Sequence, residues 1–254
     1  MFSGSLLKQT IKANWGLWAV ITGLMCLLCL QFAGMEMTRP LLFTIYYGMM
    51  TTILPGIYVL VTANKLVVSQ VDRGSMAYVL STPIKRGKVI ATQALYMTLS
   101  LVAMFSLQTI AHLIMNQSSP ISLETLGFFG LKGDLTAVMI VEINCSALMV
   151  SLALAAICFF VSCLFNTSKN YFSLAGAFIG VMILANMLAM FGSLGAGMED
   201  LQNFKYLTLV SFYDFKSVIL ENKDWIEKML VPAGLTLMAI FAGQGVFSKK
   251  DLPL

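Results

Sequence analysis

The sequence predicts an all-α membrane protein with six transmembrane helices, and three observations lead there. Hydrophobic residues make up 58% of the chain and charged residues only 11%, where soluble domains carry about a quarter charged residues. The apolar residues gather in six runs long enough to cross a hydrocarbon core of ~30 Å, and none alternates as a membrane barrel strand does. The Lys and Arg residues concentrate in one set of linkers, as the positive-inside rule describes. A net charge of +4 is too modest for a basic nucleic-acid binder, so no nucleic-acid partner is expected.

Residues 1–14 place Phe2, Leu6, Leu7 and Ile11 at helical spacing, with Lys8 and Lys12 opposite. This pattern predicts an amphipathic helix lying in the membrane interface; a frayed terminus is the other reading. The spans follow at about 15–35, 41–63, 89–115, 135–164, 171–191 and 229–247. The first is long and lacks an A-x-A cleavage pattern, so it reads as a retained helix. Pro55-Gly56 predicts a kink in the second. Before the sixth, the aromatic stretch from Phe204 to Leu220 is too interrupted to span and predicts an interfacial or re-entrant helical element on the outer side. Residues 1–254 thus read as a single transmembrane domain.

Six spans put both termini on one side. That side carries Lys8, Lys12, Lys65, Arg73, Lys85, Arg86, Lys88, Lys169, Lys249 and Lys250 against Asp72 and Asp251 alone. On the other side, Arg39, Lys132, Lys205, Lys216, Lys223 and Lys228 are outnumbered by acids. Both termini are therefore expected in the cytoplasm and the chain in the cell membrane.

The most informative linker is the polar stretch 64–88. Asp72 is a good helix N-cap. Met76, Val79 and Leu80 recur at i, i+3 and i+4 and give a short helix one apolar stripe. Pro83 disfavours helical geometry at Thr82 and ends the helix. Lys85, Arg86 and Lys88 then anchor the start of the third span. The reading is a stub helix whose apolar stripe docks on another protein; the alternative is an ordinary basic loop.

The catalytic inventory is poor. His112 is the one histidine, so no His-Glu-x-x-His zinc set exists, and no G-x-x-x-x-G-K-[ST] loop cradles a nucleotide. No catalytic or metal residue is assigned, and Cys26, Cys29, Cys145, Cys158 and Cys163 read as packing residues of the spans. Glu142 is the one carboxylate well inside a span, and Ser146 shares its helical face. It lines a translocation path or pairs with His112, or else it is a satisfied structural group reaching the outer interface. Asn186 adds polarity at another depth.

Asp72-x-Gly74-Ser75-x-x-x-x-Leu80-Ser81-x-Pro83-Ile84-x-Arg86 resembles the cytoplasmic motif of ABC-2 type permeases, the membrane subunits of one class of ABC transporters. Val79 stands where the family commonly has Leu, and Lys85 where it has a hydroxyl residue. Six spans, an amphipathic start and an apolar outer segment match the family layout, and bacterial permeases of this size look most similar. The resemblance implies an exporter in which Asp72, Arg73, Gly74, Ser75, Met76, Tyr78, Val79, Leu80, Ser81, Pro83 and Arg86 form the coupling helix region. It also implies a dimer of separate ABC ATPase subunits holding ATP and Mg, and a second permease subunit, identical or not. No cofactor is implied in this chain, and it is not itself an enzyme. The cargo implied is an amphipathic peptide or a hydrophobic drug. The alternative is a secondary transporter or channel with no ATPase partner; an intramembrane enzyme is a third class.

Overall fold

The computed structural model describes residues 2–81, 84–126, 133–193, 198–213, 215–220 and 224–250, without the side chains of Val79, Leu80, Ser193 and Lys216. Thr82, Pro83, the glycine-rich stretch 194–197, Lys132, Lys223 and Asp251 lie outside them. Six helices are long and apolar enough to cross a membrane: α1 (Gly4–Gly34), α2 (Arg39–Asp72), α4 (Arg86–Ser118), α5 (Ala137–Leu164), α6 (Ser168–Ser193) and α8 (Asp224–Lys249). Two short helices complete the set, α3 (Ser75–Ser81) and α7 (Phe215–Ile219). The chain is a multi-pass membrane protein.

The expected break between an interfacial helix at 1–14 and the first span is absent, because α1 runs unbroken for 31 residues, ~45 Å at 1.5 Å per residue. Its first turns pack along α4 rather than standing apart. The Ser3 amide donates to Thr92 Oγ1 (3.0 Å), Thr10 Oγ1 to Gln93 Oε1 (3.2 Å) and Trp18 Nε1 to the Ser100 carbonyl (2.8 Å). These bonds step along both helices in the same sense, so α1 and α4 run parallel. The buried side of α1's start is mixed, with Leu6 beside the polar Ser3, Thr10 and Asn14, while Phe2 and Ile11 stay exposed with Lys8 and Lys12.

The core is built on α2 and α5. In each, 67% of the most apolar window is buried, against 17% in α8. α2 is not a regular helix. A 3-10 turn at Arg39–Leu41 leads into a π-helix, Leu42–Met50, then an α segment, Thr51–Ala63, a second π stretch, Asn64–Val68, and a last α turn, Ser69–Asp72. Pro55, where a kink is expected, lies inside the α segment Thr51–Ala63, and the irregular turns lie upstream and downstream of that segment. Phe43, Tyr46 and Tyr47 of the first π stretch face inward together, all buried. Neighbours hold the irregular backbone. Thr51 Oγ1 donates to the Tyr47 carbonyl (2.7 Å), and Ser162 Oγ of α5 donates to the Ala63 carbonyl (2.7 Å) while accepting from the Val68 amide (3.2 Å).

Charged side chains tie helix ends on both sides. At one end, Arg39 is buried; its Nε donates to the Ala33 carbonyl (3.0 Å) and its Nη2 to Ser119 Oγ, joining the C-terminal ends of α1 and α4. At the other, Lys250 Nζ donates to the Cys163 and Phe165 carbonyls (2.9 and 2.7 Å) at the end of α5, and Arg86 Nη1 donates to the Lys250 carbonyl (3.0 Å). A cation at a helix C-terminus meets the partial negative charge there. Burial pulls the Lys250 ammonium below its usual pKa. Both ends of the described chain and α3 lie on this second side, called the terminal side below; the opposite one is the far side.

The far-side element before α8 is helical as expected, but it is broken into 3-10 turns, Glu199–Leu207 and Leu209–Phe212, followed by α7. It seats Val210, Tyr213, Val218 and Ile219 in the core, and Phe215 stacks on Phe43 with centroids 5.2 Å apart. The first of these turns lies against the end of α6. A Cβ on Gly192 would stand 2.6 Å from the Gln202 amide nitrogen, a backbone atom with little room to yield. Gly192→Ala is therefore expected to destabilise the protein by about 1–3 kcal/mol, read as an earlier midpoint in denaturant unfolding of the detergent-solubilised chain.

Candidate functional site

The terminal-side linker forms a short helix, α3, but its capping differs from the expected one. Asp72 closes α2 instead of opening α3. Its Oδ2 accepts from the Ser168 amide (3.0 Å), the first residue of α6. The carboxylate therefore caps a helix far away in sequence, where an N-terminal dipole favours negative charge. Gly74 makes the turn into α3 with φ +70, a left-handed conformation that suits glycine. Ser75 Oγ donates back to the Gln70 carbonyl (3.2 Å), and Ser81 Oγ to the Tyr78 carbonyl (2.8 Å).

The expected docking stripe is also revised. Met76 is fully buried in this chain's own core, so it presents nothing to a partner. Val79, Leu80 and Pro83 belong to the same expectation and lie outside the described side chains. Arg86 is bound to the end of α8 rather than projecting freely. The open surface consists of Arg73, Ser75, Tyr78 and Ser81, with Tyr78 81% exposed. A tyrosine so exposed beside a guanidinium makes a small amphipathic contact surface on a rigid mount.

The second cluster lies within the spans, towards the far side. Tyr47 of α2, Gln108 and His112 of α4 and Asn144 of α5 are all buried. Gln108 Nε2 donates to Asn144 Oδ1 (2.8 Å), and Asn144 Nδ2 donates to the Tyr47 hydroxyl (3.1 Å) and to the Ile140 carbonyl (2.8 Å). The Tyr47 hydroxyl, accepting from that amide, is also hydrogen-bonded to His112 Nδ1 (2.6 Å), the direction set by the His112 tautomer. Among the described residues, His112 Nε2 and Gln108 Oε1 have no partner.

Glu142 is not part of this cluster. The pairing of Glu142 with His112 does not form, because His112 is held by Tyr47 and the inward face of α5 carries Ile143, Asn144 and Ala147. Glu142 is half-buried, and Ser146, on the same face, donates to the Glu142 carbonyl (2.9 Å). The carboxylate lay in plain sight in the sequence; the contact of Tyr47 with Asn144 did not, since it joins residues 97 positions apart. Asn186 ties α6 to the π segment by donating from Nδ2 to the Gly48 carbonyl (2.8 Å). It lines a far-side cavity of about 680 Å³ with Lys205, Thr208, Tyr213 and Phe215. The Thr208 and Tyr213 hydroxyls are buried there without hydrogen-bond partners.

No protein-family model matches the chain, and a search of curated proteins finds no relative.

Two outcomes follow from the geometry. Tyr47→Phe strands His112 Nδ1 and one Asn144 proton, so it should cost about 1–2 kcal/mol, whereas Glu142→Gln should cost under about 0.5 kcal/mol; denaturant unfolding in detergent compares them. Asp72→Ala removes the α6 cap and should cost about 1 kcal/mol, with hydrogen exchange accelerating first at the amides of Ser168 and its neighbours.

Proposed function

We propose that this chain is the permease subunit of an ATP-driven ABC-2 type exporter, with its terminal side in the cytoplasm. A dimer of separate ATPase subunits holds ATP and Mg, and a second permease subunit completes the path. The observation that carries the reading is α3 itself. It is a short helix between two spans, joined to α2 through Gly74 and the Ser75–Gln70 bond, just past the Asp72 carboxylate by which α2 caps α6. Force applied at Tyr78 and Arg73 is thereby delivered to two spans at once, which a two-state transport cycle requires. The basic linkers on this side support the orientation. The far-side cavity, with its aromatic walls and unpartnered hydroxyls, suits an amphipathic peptide or hydrophobic drug on its way out.

A secondary transporter or channel is the second reading, and the interrupted α2 favours it, since broken helices commonly mark ion and substrate sites in that class. An ABC ATPase in the neighbouring reading frame would favour the first reading, and co-expression with such an ATPase separates the two. Under the exporter reading the ATPase co-purifies, and Tyr78→Asp or Arg73→Glu lowers its retention at least about tenfold, some 1.4 kcal/mol, with the permease still folded. Uptake or release by vesicles holding this chain alone, unaffected by those substitutions, would establish the second reading instead.

A further inference from the structure

A second large cavity opens on the terminal side, between α1, α2, α4 and α6. Its volume is about 670 Å³, within the range of small-ligand sites, ~300–1,000 Å³. Its floor is made of amides. Asn14, Asn64 and Gln93 line it and are at least nine-tenths buried, with Gln93 fully so. Each has an atom without a hydrogen-bond partner: Asn14 Oδ1, Asn64 Oδ1 and Gln93 Nε2. Their other bonds are fixed within the protein: Asn14 Nδ2 donates to the Thr10 carbonyl (3.0 Å), and Gln93 Oε1 accepts from Thr10. Buried amides left unpaired are costly, and three facing one cavity define a polar receptor.

The rim has a single sign of charge. Lys65 and Arg73 line the cavity and are exposed, and among the described residues no acidic one lines it. Asp72, next to Arg73 in sequence, is committed to the α6 cap. The remaining wall is apolar, with Leu6, Ala13, Val61 and Phe172.

We propose that this cavity binds the glycerophosphate headgroup of an anionic phospholipid, typified by phosphatidylglycerol. The phosphate oxygens only accept, which matches Lys65, Arg73 and Gln93 Nε2. The headgroup hydroxyls donate, which matches Asn14 Oδ1 and Asn64 Oδ1. The acyl chains follow the apolar wall into the membrane. The site shares Arg73 with the surface proposed to meet the ATPase, but its buried amides and Lys65 do not depend on the exporter reading.

The test uses the full chain in neutral detergent, with bound lipid read by native mass spectrometry as phosphatidylglycerol, phosphatidic acid or phosphatidylcholine is titrated. Phosphatidylglycerol is expected to bind at least about tenfold more tightly than phosphatidylcholine, with phosphatidic acid, which lacks the hydroxyl donors, between them. Lys65→Gln and Gln93→Leu should each weaken phosphatidylglycerol binding about fivefold or more. Lys8→Gln and Lys12→Gln, exposed cations outside the cavity, should leave it unchanged. Lys65 is on the exposed rim, so its variant reports even if Gln93→Leu misfolds. Equal binding of phosphatidylglycerol and phosphatidylcholine overturns the proposal, as does an equal loss in the Lys8 and Lys12 variants. Displacement of the lipid by millimolar glycerol phosphate, with no gain from acyl chains, assigns the site to a free phosphate ester and overturns the lipid assignment. Displacement by an acidic peptide overturns it in favour of a peptide site.

Discussion

Lipid offers no hydrogen bond, so every irregularity in α2 must be met by another part of the protein. That constraint organises the bundle. The two π stretches of α2 open its backbone ladder, and Thr51 and Ser162 close it again. Asn186 reaches the same helix from α6. Phe43, Tyr46 and Tyr47, spaced i, i+3 and i+4, form the inward face of this segment, and both tyrosine rings enter the core. Tyr47 meets the cluster around Asn144 there, and α5, which supplies Ser162 and Asn144, is the main companion of α2.

A second theme is where charge is placed. Arg39, Asp72, Arg86 and Lys250 all lie at helix termini and bind backbone groups there. Each satisfies atoms that a helix end leaves open, and each links elements distant in the chain. On the terminal side these bonds tie α2 to α6 and the end of α8 to α4 and α5.

Much of the fold was legible in the sequence, because hydropathy and span length are local properties. The six spans, the short helix after α2 and a helical far-side element all follow from runs of residues read in order. The missed features depend on distance. Asp72 reads as the cap of the helix that follows it, since sequence shows only neighbours; its true partner, Ser168, is 96 positions away. Met76 reads as a docking residue because an apolar stripe looks the same whether it faces a partner or its own core. Glu142 drew attention as the one carboxylate in a span, while Asn144, two positions on, carries the buried network. Tyr47 had a weak signal, the Phe43, Tyr46, Tyr47 spacing of one helical face, but spacing does not tell which distant side chain meets its hydroxyl.

The parallel pairing of α1 with α4 bears on how the chain is assembled. The polar groups of α1 at Ser3, Thr10 and Trp18 find their partners 82 to 89 residues later. At a ribosomal pace of ~5–20 residues per second, they wait roughly 4–18 s for α4 to emerge. In that interval the start of α1 has nowhere to settle its hydroxyls and amides except the wet headgroup layer, with Phe2 and Ile11 in contact with the hydrocarbon below. The parallel pairing thus makes the third membrane crossing a condition for burying the first turns of α1.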